Sequence, residues 1–236
     1  MRPTLVNGLA LLGAVTMVTV ACSRGASSTQ EARAATASAA TADTTTPAAT
    51  GHGTDSLAQR ADASRILGSP SAKLWVIEVS DFQCPYCKQW HDQVFSMVLD
   101  NYVKTGKIRL AYVNFPLSIH PHAREAATAA MCAGAQGKFW QMHDALFATQ
   151  GSWAPRQNVG ATFDSLATSL GVNQAQYRSC LTSPSIAALI DADQERARSG
   201  GVQSTPSFWV GTHMVEGAVP ADYMRQAIDS ALAATK

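Results

Sequence analysis

The chain has 236 residues, 46% of them apolar and 15% charged, with a formal charge of +1 at pH 7. That length suits one domain with an inserted subdomain, and the apolar share is enough for a substantial core. A balance this close to neutral removes the electrostatic case for a nucleic-acid partner, and none is expected.

Met1-Arg2 supplies a positive start, Leu5 to Val20 is apolar, and Thr19-Val20-Ala21 sets small or modest residues before Cys22. This is the layout of a secretory signal over residues 1–22, short for a membrane span and followed at once by polar sequence. Export to the cell envelope or periplasm is the expectation. The end of the segment resembles a bacterial lipoprotein signal, whose cleavage leaves an acylated cysteine; that residue would be Cys22, a lipid anchor to the membrane. Thr19 departs from the usual Leu or Val at its position, and an ordinary secretory signal with Cys22 a spare thiol is the alternative. Residues 23–62 are dominated by Ala, Thr and Ser with no apolar period, which predicts a disordered tether.

A folded domain over residues 63–236 is expected to follow. Leu74 to Val79 is a short β-rich run bounded by Ser69-Pro70-Ser71 and Ser80-Asp81, hence a buried strand. A helix from Pro85 to about Val103 turns Trp90, Val94, Phe95, Val98 and Leu99 inward. After the turn at Thr105-Gly106-Lys107, Ile108 to Val113 reads as a second strand. From about residue 120 to 200 the spacing is helical, as in Ala126, Ala127, Ala130 and Met131, and again in Phe139, Met142, Leu146 and Phe147. Ser207 to Val210 and Met214 to Glu216 return to β character, and a helix from about Pro220 to Ala234 closes the chain. The order β-α-β, helices, β-β-α defines an α/β fold with an inserted helical subdomain.

Cys84-Pro85-Tyr86-Cys87 stands directly after a strand and opens a helix. A C-x-x-C is also half of a zinc site, but no second one exists, and Cys132 and Cys180 lie far apart. Context favours redox chemistry. At a helix N-terminus the unpaired backbone N–H groups stabilise a thiolate and lower a cysteine pKa from about 8.5 to roughly 3.5–7.5. Cys84 is therefore expected to be the reactive, accessible sulfur, and Cys87 the one that closes or resolves a disulfide with it. Pro85 fits and stiffens the first turn, and Tyr86 tunes the pair.

From Leu67 to its C-terminus the chain resembles the DsbA-like branch of the thioredoxin superfamily. The resemblance is carried by Glu78-Val79-Ser80-Asp81-Phe82-Gln83-Cys84-Pro85-Tyr86-Cys87, by Asn114-Phe115-Pro116-Leu117, by Gln136 to Phe147, and by Gly201 to Phe208. It implies a thioredoxin fold interrupted by a helical domain, with Thr205-Pro206 a cis peptide beside the active disulfide; by base rate alone an X-Pro bond is trans. There Thr205 would offer its backbone to an extended substrate segment. Glu78, six residues before Cys84, takes the position of a buried acid in many relatives. Burial would raise its pKa and let it exchange a proton with Cys87, the alternative being a strand residue that points to solvent.

The implied activity is thiol-disulfide oxidoreduction on protein thiols or disulfides, with a membrane redox partner and no cofactor. Disulfide donation leads; a reductase or isomerase using the same pair is the alternative, and a non-catalytic binding module a further one. CPYC also occurs in glutaredoxins, but the export signal and the long insertion argue against a cytosolic glutathione enzyme. In an exported protein Cys132 and Cys180 read as a structural disulfide, worth on the order of 4 kcal/mol for a loop of about 49 residues, with two buried free thiols as the alternative. His120 and His122 resemble a metal pair, with His91 and His143 elsewhere, but no carboxylate or cysteine stands at supporting spacing, so no metal is expected.

Overall fold

The computed structural model describes residues 56–235. The signal segment, Cys22 and the tether up to residue 55 lie outside the described residues. The expected tether is too long at its end, because Ser56–Ser64 forms a helix, α1. Tertiary contacts, invisible to composition, hold it there. Ala61 is fully buried, Arg60 donates from Nε to the Ala135 carbonyl at 3.0 Å, and Leu57 packs on the helical core. Just beyond α1, the buried Arg65 pairs with Asp62 and Asp193.

Among the described residues five strands build one sheet: β1 (Ile66–Leu67), β2 (Leu74–Ser80), β3 (Ile108–Asn114), β4 (Ser207–Val210) and β5 (His213–Glu216). Their spatial order is β1-β3-β2-β4-β5, with only β2 and β3 parallel. The sequence reading missed β1, whose two residues are too few to show a period. The β2–β3 crossover is α2 (Pro85–Trp90), which runs on through π-helical turns at His91–Phe95 and Leu99–Val103. Its Trp90, Val94 and Val98 pack with Val76, Leu110, Phe208 and Val210 of the sheet, and with Met224 and Ile228 of the last helix.

Between β3 and β4 lie α3 (Ala123–Gly134), α4 (Phe139–Ala148), α5 (Gln150–Trp153), α6 (Gly160–Ser169), α7 (Gln174–Leu181) and α8 (Pro184–Ser199); α9 is Ala221–Ala234. Alanine makes α3 the centre of this subdomain. Ala126, Ala127, Ala129, Ala130 and Ala133 are all buried, and side chains this small let neighbouring helices approach on several sides. Gly134 marks a close approach, since a Cβ there would run into the Ser64 hydroxyl of the residue ending α1. Cys132 of α3 and Cys180 of α7 meet in a disulfide with Cα atoms 5.6 Å apart. Among the described residues no helix is long and apolar enough to cross a membrane.

Candidate redox site at the start of the first crossover helix

Strand β2 delivers the chain to the site, and a turn closed by the Cys84 N–H on the Asp81 carbonyl at 3.0 Å starts the helix. Cys84 is the N-cap, in extended conformation, and Pro85 occupies the first turn, where its missing N–H removes no helical bond. The turn is braced from several sides. The Asp81 carboxylate, wholly buried, accepts from the Gln83 N–H at 2.7 Å and the Leu117 N–H at 2.9 Å, and pairs with His120 Nδ1 at 2.7 Å. Gln150, arriving on α5, donates from Nε2 to the carbonyls of Phe82 at 2.8 Å and Cys84 at 3.0 Å. Sequence reasoning assigned no role to Asp81, His120 or Gln150, because their partners are backbone groups or lie 36 to 68 residues away.

Cys84 and Cys87 are both free thiols. The expectation of an accessible Cys84 needs correction: its residue is only 3% exposed, while its neighbour Tyr86 is 63% exposed. Cys84 Sγ lies 3.5 Å from the Thr205 carbonyl, so the loop before β4 covers it. The Thr205-Pro206 peptide is cis. Beside it Tyr86, Gln89, Ser204, Thr205, Gly217 and Ala218 line a shallow pocket of about 450 Å³.

The two sulfurs differ in electrostatics. The Cys87 thiol donating to Cys84 is the largest cause that lowers the Cys84 pKa to about 6; burial opposes it, and Thr205 and the N–H groups of Cys87 and Tyr86 add to it. Burial, reinforced by the nearby Cys84, holds Cys87 well above an ordinary thiol. One sulfur is therefore built to carry charge and the other to carry a proton.

Glu78 lies on the sheet beside Tyr112 and Phe208, its register partners on β3 and β4. It is fully buried, and neither carboxyl oxygen has a hydrogen-bond partner. Burial raises its pKa to about 7, against smaller opposing effects of Ser80 and His91. Ser80 and Tyr112 have buried hydroxyls that also lack partners, and both interact electrostatically with Cys87. Glu78, Ser80, Tyr112 and Cys87 thus form a polar island within the apolar core. The acid was legible as an acid inside an apolar run; Ser80 and Tyr112 carried no such signal.

Of the histidines, His120 lies in the loop before α3 and His122 is the N-cap of that helix. His91 and His143, far apart in the chain, come together with Asp144 between them. The sequence reading found no supporting carboxylate because Asp144, adjacent to His143, does not stand at a familiar ligand spacing.

A family profile described as Thioredoxin matches residues 60–230. The chain is 34% identical over 176 residues to the Na(+)/H(+) antiporter NhaA 1 of Salinispora arenicola, covering 74% of this chain and 26% of that protein. It thus spans about a quarter of the length of that relative. It is 27% identical to a probable disulfide bond formation protein D of Bacillus cereus, covering 70% of this chain and 77% of that one. Oxidised BdbD from Bacillus subtilis has the same fold, with a TM-score of 0.65, 22% identity, and 72% and 92% of the two chains covered.

Proposed function

We propose, for a chain that belongs to the DsbA-like branch of the thioredoxin superfamily, a thiol-disulfide oxidoreductase that donates disulfides to protein thiols through Cys84 and Cys87. The observation that carries this reading is the asymmetry of the pair, with Cys84 lowered to about 6 and Cys87 raised. A thiolate that is stable after reduction is a good leaving group and makes the oxidised pair a stronger oxidant.

A substrate thiolate attacks Cys84 Sγ of the disulfide. The S–S bond breaks and its electron pair passes to Cys87 Sγ, which takes a proton; Glu78, protonated for about half the molecules at pH 7, is the donor in this scheme. A second substrate thiolate attacks the substrate sulfur of the mixed disulfide and releases Cys84 as thiolate. The substrate has lost two electrons and the enzyme has gained them. A membrane redox partner would then return the pair to the disulfide. Thr205, beside cis Pro206, would offer backbone groups to an extended substrate segment, and the pocket between Tyr86 and Ala218 would take a substrate side chain. Cys132 and Cys180 would be structural.

Export and anchoring belong to the same proposal and rest on the leader ending at Cys22. Radiolabelled fatty acid should enter the wild-type chain and not Cys22→Ser when both are expressed in a bacterial host. The activity is tested by mixing the oxidised protein with a reduced, unfolded disulfide protein. Native disulfides should form, and Cys84→Ser should abolish transfer. A potential near the roughly −270 mV of thioredoxin, with activity only toward oxidised substrates, would turn the assignment to a reductase.

A further inference from the structure

We propose that His91, His143 and Asp144 form a binding site for one zinc-class divalent cation, joining the helix that carries the cysteines to α4 of the helical subdomain. The three donor atoms already converge. Asp144 Oδ1 lies 3.1 Å from His91 Nε2 and 2.8 Å from His143 Nδ1, and all three lie within 4.8 Å of one another. In a tetrahedral zinc site, with ligands at roughly 2.0–2.2 Å, neighbouring donors stand about 3.3 Å apart. The His91–Asp144 spacing of 3.1 Å is therefore close to that figure, and the His143–Asp144 spacing of 2.8 Å is about half an ångström below it.

The surroundings of the two rings argue the same way. His143 is fully buried, and its Nε2 has no hydrogen-bond partner. Its ring packs among those of Phe82, Tyr112, Phe139 and Phe147. His91 has carboxylates at both ring nitrogens, since Nδ1 is 3.2 Å from Asp92 Oδ1. With metal on Nε2 this becomes the carboxylate–histidine–metal arrangement in which an outer acid fixes the ligand ring, and Asp92 is itself held by Lys88 at 2.8 Å.

Two imidazoles and one carboxylate are borderline donors suited to zinc, and three protein ligands leave a fourth position for water. Asp144, whose side chain is 56% exposed, opens that position to solvent. Phe95 stacks on His91 and Phe147 lies tilted against it, and the two wall the other side. His91 stands one turn after Cys87 on the same helix, so an occupied site would brace the active-site helix from behind.

The experiment uses the full chain with Cys84 and Cys87 oxidised and any other free thiol alkylated, which removes sulfur ligands and makes the result independent of redox activity. Zinc chloride is titrated against a chelating indicator, and cobalt(II) spectra report the coordination geometry. One equivalent should bind with a tetrahedral cobalt signature, His91→Gln and Asp144→Asn should each weaken binding at least tenfold, and Asp92→Asn should weaken it by about 10–100-fold. Absence of stoichiometric zinc in the wild type, or binding unchanged in both ligand variants, overturns the site. If His91→Gln does not fold, the half-exposed Asp144→Asn decides alone.

Discussion

The charge held on Cys84 has a measurable thermodynamic signature in the reduction potential. With a pKa of about 6 in the reduced protein, about nine-tenths of the Cys84 sulfur is ionised at pH 7. Relative to a thiol titrating at 9.0, that ionisation stabilises the reduced form at pH 7 by ~1.4 kcal/mol, or ~30 mV for a two-electron couple. The sign is fixed by linkage: a depressed folded pKa stabilises the reduced fold fully above pH 9, by ~4 kcal/mol, and the contribution is lost as pH falls through 6. Reduction should therefore take up two protons below pH 6, for a slope of ~59 mV per pH unit, and one proton above it, for ~30 mV. The assay is equilibration with glutathione buffers from pH 4.5 to 8.5, read by tryptophan fluorescence, with the far-ultraviolet thiolate absorbance of the reduced protein followed in parallel. A break near pH 6 in both is the expected result. A single slope up to pH 8.5, with no thiolate formed below pH 8, would refute the electrostatic account of the pair.

Glu78→Gln should stabilise the fold by ~3 kcal/mol at pH 8 and hardly at all at pH 4, because an acid raised from 4.5 to about 7 costs stability as pH rises through that window; urea unfolding at the two pH values checks it. The same variant should slow disulfide transfer at pH 6, where the native acid is mostly protonated, in stopped-flow kinetics. Replacing both Cys132 and Cys180 by serine opens a loop with a sequence separation of 48 and should cost ~4 kcal/mol, while transfer by the Cys84–Cys87 pair persists. Asp193→Ala should cost ~3–5 kcal/mol in denaturant unfolding, since the buried carboxylate pairs with Arg65 and accepts from the Asn114 N–H and Nδ2, and its loss leaves a buried guanidinium with a single, half-exposed partner in Asp62.

Local chemistry was legible in the sequence alone. A C-x-x-C between a β-rich run and a helical period identifies a helix-start thiol pair, since strand, turn and helix signals there are contiguous. The lone acid in an apolar strand likewise announced Glu78, and the long run without strands announced the helical insertion. Only tertiary structure decided the rest, because the responsible contacts join residues remote in the chain. Composition consigned residues 56–62 to a tether, yet Ala61 and Arg60 find their partners on α3 and just beyond it. The helix-start rule predicted an accessible Cys84, but Thr205, 121 residues later, covers its sulfur. His91 and Asp144 are separated by 53 residues and meet only because α4 folds back onto the active-site helix. Periodicity reports which face a side chain takes within its own element; which distant group it then meets is set by how the elements pack.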